Sequence, residues 1–393
     1  DEISAALAGK VLDADLARMT ALPLVGEVHK RVLAALERFA CNERSDGLRA
    51  IYVHATGGGG KTTLLAFLQR ALLAKPDSGA VARIDFDEPG VDPARMITLN
   101  LALFEQLASS LPQIRDRIGM FLPQLRGAAS ALRMSDYAAD TPLAGWSSGE
   151  RGRGSLMGQR QVSESVSDQA SILYGLLSPE NLDGPLVLVL DTAELVMEGD
   201  VRAAAGVADW LEFLRIEVQA LDIRLIVAGR DPPPEPTASG TDASDLLSRL
   251  AQIGAVFDPP EALPELNPSE SAELLFNCGL ADPRLRKAAA EAVPGNPLLL
   301  RITADALREG DATLSKQIHE AHAQSRVDPR SARIYLMRRI IAHVPDPMVR
   351  PYILTAMASP ILTAAMLRSV IMPLVDAKMI KPDKSRASGG RSP

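Results

Sequence analysis

The sequence predicts a parallel α/β sheet with helices on both faces, followed by a small all-helical segment. Three observations carry this. From Ala50 to about residue 111, short β-rich runs alternate with helical periodicity, and parallel strands need such crossover helices. Two runs, Leu186-Val187-Leu188-Val189-Leu190, wholly apolar, and Ile223 to Ala228, apolar but for Arg224, have the composition of strands covered on both faces. After Asp258-Pro259-Pro260 the β character stops.

The elements follow in order. Residues 1–46 read as an amphipathic helical lead-in. It breaks at Leu22-Pro23-Leu24-Val25-Gly26 before a second apolar-periodic run through Val32, Leu33, Leu36 and Phe39. A strand is expected at Ala50 to His54, a helix at Thr62 to Leu73, a strand at Val81 to Phe86 and a helix from Leu99 to Leu111. Between about Gly127 and Ser167 periodicity dissolves into Gly, Ser and Arg, which predicts a mobile insertion. Its arginines either contact phosphate or are simply solvated.

Order returns with a helix near Ala170 to Leu177, the two apolar strands, and a weaker strand at Ala255 to Phe257. Asn267-Pro268-Ser269-Glu270 supplies a cap residue, a proline at the first helical position and a glutamate two residues on, so a helix starts there. Helical periodicity continues through Leu274, Leu275 and Leu285, crosses Pro294-Gly295-Asn296-Pro297, and resumes from Leu298 to Leu307. Three further helical stretches lie near Tyr335 to His343, Pro347 to Met357 and Thr363 to Val370, and the polar tail from Lys381 is expected to be disordered. The expected divisions are 1–46, 47–260, 261–328, 329–380 and 381–393.

Composition narrows the class. With 393 residues and 47% hydrophobic content, two or three domains can each bury a core. A net charge of −7 argues against a surface built mainly for nucleic acid, so nucleic acid is not an expected partner. Cys41 and Cys278 have no paired spacing and suit a reducing compartment. Among five histidines only His319 and His322 lie one helical turn apart, in a polar stretch, and read as solvated. The longest apolar run, Pro185 to Leu190, is cut by Asp191 and is far short of a membrane span. A soluble, cytoplasmic protein without a membrane partner is expected. The first residues lack an initiator Met and a signal core, which predicts a processed or partial product.

The strongest chemical signal is Ala55-Thr56-Gly57-Gly58-Gly59-Gly60-Lys61-Thr62-Thr63, set where an apolar strand ends and a helix with Leu64, Leu65, Leu68 and Leu72 begins. Successive backbone amides of such a loop converge on phosphate oxygens, the helix start adds its positive end, and glycines permit the close approach. Lys61 then reaches the β and γ phosphates, and Thr62 holds Mg²⁺ through its hydroxyl. Ala55 stands in place of the usual first glycine. The cofactors expected are therefore ATP or ADP with Mg²⁺, on a P-loop NTPase sheet.

Such a loop needs an acid on a neighbouring strand, and Leu186 to Leu190 ending in Asp191 answers that need. Three residues on, Glu194 either polarises the attacking water as general base or caps the following helix. Asp85 and Asp87, at another strand end, read as structural. The strand Ile223 to Ala228 ends in Gly229-Arg230-Asp231. Arg230 is either a γ-phosphate contact or a surface arginine paired with Asp231.

In this order the motifs resemble the STAND class of signalling NTPases, across most of residues 20–375. The resemblance rests on Gly57-Gly58-Gly59-Gly60-Lys61-Thr62-Thr63-Leu64, Leu188-Val189-Leu190-Asp191, Ile226-Val227-Ala228-Gly229-Arg230 and Gly295-Asn296-Pro297-Leu298. It implies that Pro297 lies against the adenine, that Arg230 is the sensor arginine, that Val25 and Gly26 lie near the adenine, and that residues 331–375 form a winged-helix-like domain. Glu27 replaces the family's arginine after Gly26, and Thr192 stands where many relatives carry a second acid. Nothing after Ser385 resembles the family's sensor repeats, which implies an incomplete switch.

The function so implied is a nucleotide switch. ADP holds the later domains closed, and exchange for ATP, prompted by an unidentified protein trigger, opens them for self-association. Slow hydrolysis assisted by Lys61, Asp191, Glu194 and Arg230 resets it. The alternatives are an AAA-type ATPase acting on DNA as loader or remodeller, and a nucleotide-stabilised scaffold without turnover.

Overall fold

A computed structural model describes residues 14–41, 48–75, 79–111, 113–139, 171–177, 184–197, 201–218, 221–230, 246–293 and 295–308, with residues 182, 232, 315, 316 and 318. Side-chain statements stop at residue 132 within the stretch ending at 139. Most of the expected insertion, the expected winged-helix-like segment, His319 and His322, and the tail lie outside the described residues. The chain divides into two units. The first is Asp1–Asn277 with Asn296–Leu298, and the second is Cys278–Gly295 with Leu299–Pro393.

The first unit is built on a parallel sheet. After a short helix at 14–19 come α1 (Glu27–Cys41), β1 (Leu48–His54), α2 (Lys61–Leu73), β2 (Ala80–Asp85), α3 (Met96–Ser110) and α4 (Arg115–Ala139). They are followed by β3 (Leu186–Asp191), α5 (Glu194–Met197), α6 (Val201–Glu217), β4 (Ile223–Gly229), α7 (Leu246–Gln252), β5 (Val256–Phe257), β6 (Glu261–Ala262) and α8 (Pro268–Asn277). The strand order is β2-β3-β4-β1-β5, with β6 also pairing β1. Every pairing is parallel, as the crossover logic requires.

Alternation along each strand splits the core between two faces. Leu48, Ala50, Tyr52, Leu186, Leu188 and Leu190 face a cluster shared with α3, α4, α6 and α7. Ile51, Val53, Val187 and Val189 face the cluster that takes Val32, Leu36 and Phe39 of α1 and Leu64, Leu65 and Leu68 of α2. Both β3 and β4 are buried at every position, which is why, apart from Arg224 and the terminal Asp191, their sequences run apolar.

One buried ion pair fastens α1 to the sheet. Arg224 of β4, almost wholly enclosed, binds Asp222 Oδ2 at 2.6 Å and donates to the carbonyl of Phe39 at 2.6 Å. Helix α8 begins with the box anticipated from sequence: Asn267 Oδ1 accepts from the amides of Ser269 and Glu270, and Glu270 Oε2 returns to the amide of Asn267 at 2.9 Å.

Three expectations are revised. The irregular stretch expected from Gly127 begins as helix, since α4 runs to Ala139 and buries Ile118, Leu122, Leu125 and Ala129 at helical spacing. Helix α6, not anticipated, buries Val207, Trp210, Leu211 and Leu214. The edge beyond β1 is two short strands, β5 and β6, instead of one.

The second unit contains α9 (Pro283–Ala292) and the greater part of α10 (Pro297–Arg308). Asp282 caps α9, accepting from the amides of Arg284 and Leu285, with Pro283 at the first helical position. Arg308 donates to the carbonyl of Cys278 at 3.3 Å. No described helix is long and apolar enough to cross a membrane.

Candidate functional site

The site lies at the carboxyl edge of the sheet, where loops leave four parallel strands side by side. The β1–α2 loop takes its shape from its glycines. Gly58 and Gly60 sit at φ +78° and +91°, a region that L side chains avoid. Gly59 closes the turn by donating to the carbonyl of Thr56 at 2.9 Å. A Cβ at Gly59 would stand 2.9 Å from both the Ala55 Cβ and the Thr56 oxygen. The methyl of Ala55, standing where a first glycine was expected, therefore fits only because position 59 has no side chain.

Gly60 ends the loop as the residue before α2 and offers no side-chain cap, so the first-turn amides of α2 keep their affinity for an anion. Lys61 is buried and folds back so that Nζ donates to the Ala55 carbonyl at 2.9 Å. Thr56 is exposed, while Thr62 and Thr63 are half-buried in the first turn.

The acid expected on the neighbouring strand is one strand further away. β4 lies between β1 and β3, and the alternation of β and α runs does not fix that order. Asp191 nonetheless meets the loop helix, because its carboxyl interacts with the Thr62 side chain. Asp191 is enclosed, 1% exposed, and burial pushes its pKa up. Asp85 pushes the same way, against Arg83, the Thr62 side chain and the Thr192 amide. Oδ1 accepts from the Thr192 amide at 2.9 Å, while Oδ2 has no hydrogen-bond partner and lies 3.9 Å from Arg83 Nε. An enclosed carboxylate oxygen left without a hydrogen bond is costly unless a ligand completes it.

Thr192 is, among the described residues, the non-glycine at positive φ, +57°, an uncommon conformation for a β-branched residue and one found at working sites. Its hydroxyl donates to Asp85 Oδ1 at 2.7 Å. A carboxylate from the end of β2 thus stands against position 192, where the resemblance leads one to expect a second acid.

Glu194 opens α5 with its side chain 9% exposed. Oε1 meets Arg230 Nε at 2.8 Å, and Oε2 is buried without a hydrogen-bond partner. Arg230 leaves the end of β4 half-exposed, with Nε 4.0 Å from where a Cβ of Gly57 would lie. Its partner here is Glu194, and Asp231 lies outside the described residues.

Val25 is buried. Gly26, at φ +98°, has no room for a side chain, since a Cβ would come within 2.7 Å of His29 Nδ1 and 2.8 Å of Leu266 Cδ2. The Pro297 ring lies over the loop, 3.7 Å from where a Cβ of Gly60 would be. Two loop contacts are absent from the sequence reading. His29 Nε2 lies 3.4 Å from the Gly59 carbonyl, and Asn296 Nδ2 donates to the Gly57 carbonyl at 2.8 Å. His29 sits one turn after Gly26 on an apolar-periodic helix, where it reads as core, and in Gly295-Asn296-Pro297-Leu298 the proline drew the assignment.

These residues fit a nucleoside phosphate with Mg²⁺. Lys61 and Arg230 supply positive charge, the uncapped start of α2 offers its amides to an anion, and the Thr62 side chain reaches the Asp191 carboxyl, whose Oδ2 lacks a hydrogen bond. No group of three or more His, Cys, Asp or Glu among the described residues could hold a metal ion by itself.

No known protein-family profile matches the chain. It is 48% identical over 380 residues to a "Probable ATPase" of Lysobacter enzymogenes, a match covering 97% of this chain and 35% of that protein. The chain thus spans about a third of that relative's length. Among solved structures it is similar to the ORC2 protein of Aeropyrum pernix in its ADPNP and ADP complexes, with TM-score 0.44, 15% identity, and coverage of 91% and 82% of the two chains. It is also similar to CDC6P of Pyrobaculum aerophilum, with TM-score 0.42, 14% identity and coverage of 93% and 85%. Likeness at that level carries no argument about activity. What the chain itself displays is a parallel α/β sheet with a glycine loop, a lysine, two carboxylates and an arginine at one edge.

Proposed function

We propose that this chain binds ATP and ADP with Mg²⁺ and acts as a nucleotide switch with slow hydrolysis, controlling domain opening and self-assembly. One observation carries the reading. Lys61, Thr62, Asp191, Glu194 and Arg230 reach one sheet edge from the ends of β1, β3 and β4, which lie side by side, and two of their buried carboxylate oxygens lack a hydrogen bond. The 48%-identical relative named as an ATPase supports the same chemistry.

Thr62 and Asp191 would hold Mg²⁺, which supplies charge neutralisation to the phosphates when bound. Lys61 exchanges its bond to the Ala55 carbonyl for phosphate oxygen. Arg230, released from Glu194 Oε1, is within reach of the same loop and can meet the terminal phosphate, while Glu194 Oε2 is the acceptor for a proton from the attacking water.

For the switch itself, moving the population from about 1:99 to 99:1 takes roughly 5.5 kcal/mol of preference for one state. Arg230 and Pro297 are the two groups from outside the β1–α2 segment best placed to read the nucleotide. The trigger is a protein of a kind the site does not specify.

Calorimetric titration of MgADP and MgATP into the wild type and Lys61→Ala tests the site. Loss of an ammonium–phosphate interaction should weaken binding by at least about tenfold, since hydrogen bonds to charged groups contribute roughly 1.5–3 kcal/mol. Equal affinities would overturn the assignment. The same site would serve an ATPase acting on DNA. A net charge of −7 describes the whole chain, not one face, so the expectation against nucleic acid is not carried forward. Duplex binding that weakens steeply with salt would move the conclusion to that reading.

A further inference from the structure

The carbonyls of Gly57, Gly58 and Gly59 each face a donor from outside the loop. Asn296 Nδ2 donates to Gly57 O at 2.8 Å, the Leu298 amide to Gly58 O at 3.3 Å, and His29 Nε2 lies 3.4 Å from Gly59 O. The three donors come from two places, the buried side chain of α1 and the turn that opens α10. In a trans peptide the carbonyl and the following N–H point in opposite directions. Donors that hold the carbonyls of Gly57 and Gly59 on one side therefore turn the amides of Gly58 and Gly60 to the other. The amide of Gly59, turned the same way by Leu298, closes the loop onto Thr56.

The fit around these donors is close. A Cβ at Gly58 would stand 2.8 Å from Asn296 Oδ1 and 2.9 Å from Leu298 Cβ. Gly26 must lack a side chain for His29 to take its place. Asn296 is 2% exposed and spends its other amide atom on the chain, Oδ1 accepting from the Leu298 amide at 3.1 Å. It is a rigid two-ended connector rather than a surface amide.

We infer that Asn296 and His29 are positioning residues for the phosphate loop, holding its carbonyls outward so that its amides converge on the phosphates of a nucleoside diphosphate or triphosphate. This rests on the nucleotide-binding reading above and adds to it two residues that do not touch the ligand. Preorganised amides bind an anion without the cost of ordering a four-glycine loop, so loss of either donor should appear chiefly as lost affinity.

The test uses the full chain and titrates MgADP into wild type, Asn296→Ala, His29→Phe and His29→Gln. Asn296→Ala and His29→Phe should each weaken MgADP about tenfold or more. They should also raise amide hydrogen exchange at Gly59, whose amide bonds to the Thr56 carbonyl, in the nucleotide-free protein. His29→Gln, whose carboxamide N–H can reach the Gly59 carbonyl, should recover most of the affinity lost in His29→Phe. Affinities for Asn296→Ala and His29→Phe within about twofold of wild type would overturn the inference while leaving the nucleotide reading intact. So would a His29→Gln variant no better than His29→Phe. Absence of MgADP binding by the wild type would instead remove the reading on which it rests.

Discussion

The pairing of Glu194 with Arg230 makes a quantitative prediction about the nucleotide-free protein. The contact is 2.8 Å, with the Glu194 side chain 9% exposed and that of Arg230 49% exposed. An ion pair wholly in water contributes about 0–1 kcal/mol, and removing one partner of a wholly buried pair costs about 3–5 kcal/mol. With one end dry and the other wet, the coupling should lie between, at about 1–2 kcal/mol. A double-mutant cycle of Arg230→Ala, Glu194→Ala and the double variant, followed by denaturant unfolding without nucleotide, reads that coupling free of each side chain's other contacts. Arg230→Ala should be the costlier single change, because it strands a carboxylate whose Oε2 already has no hydrogen-bond partner. Coupling below about 0.3 kcal/mol, or a value abolished by about 1 M salt as for a screened surface pair, would refute the argument that the pair is a built part of the site.

Two further predictions concern groups that the fold holds at a cost. Asp191→Asn should raise the melting temperature of the nucleotide-free protein, because burial pushes this carboxyl's pKa above its ordinary 3.8 and a neutral amide escapes that penalty. The same variant should lose the Mg²⁺ dependence of nucleotide binding, and a lowered melting temperature would contradict the first half. Burial pushes the His29 pKa below its ordinary 6.5, against the Gly59 carbonyl and the Glu270 charge, which raise it. The unfolded chain therefore binds the proton more readily, and the stability held by neutral His29 is complete above 6.5 and is lost as pH falls through the lower folded value. Melting curves between about pH 5 and pH 7 should show that loss in the wild type and less of it in His29→Gln; identical pH slopes would count against it.

The parts of the fold that were legible in sequence are those whose signal is local. The run 186–190 is apolar at every position, and 223–228 at every position but Arg224, because both faces of the sheet are covered there, and a composition of that kind admits little else. The loop and the Asn267–Glu270 box are legible because their hydrogen bonds close within a few residues. Helix α4 was hidden by Pro123 and Gly127, which read as breakers, although Ile118, Leu122, Leu125 and Ala129 keep the helical period. What could not be read are contacts that depend on strand order. Arg230 and Glu194 are 36 residues apart, and Thr192 and Asp85 are 107 apart. Each pair meets only because β4 lies beside β3, and β3 beside β2. His29 was unreadable for a different reason: a histidine on an apolar helix face looks like a core residue until the carbonyl it faces is known.

Several features that are unfavourable in the chain alone lie at the edge that carries the loop, although buried side-chain atoms without a hydrogen-bond partner also occur at Asn100, Asp222 and Arg249. Lys61 is an ammonium with little access to water, Asp191 Oδ2 and Glu194 Oε2 are buried without hydrogen-bond partners, and Thr192 holds a conformation that a β-branched residue resists. Each is unfavourable in the chain alone. Contrast Arg224, as deeply buried, which is bound by Asp222 and by the Phe39 carbonyl and which fastens a helix to the sheet. A charged group enclosed for stability carries its partners within the chain. Asp191, enclosed with Oδ2 lacking a hydrogen bond, calls for a cation, while the amides at the start of α2 and the Lys61 ammonium suit anionic oxygen. A phosphate ester with a divalent ion meets both demands at once, whereas an anion alone would leave Asp191 worse off and a cation alone would leave Lys61 so. Binding of the two should therefore be strongly interdependent, each raising the affinity for the other by the same factor.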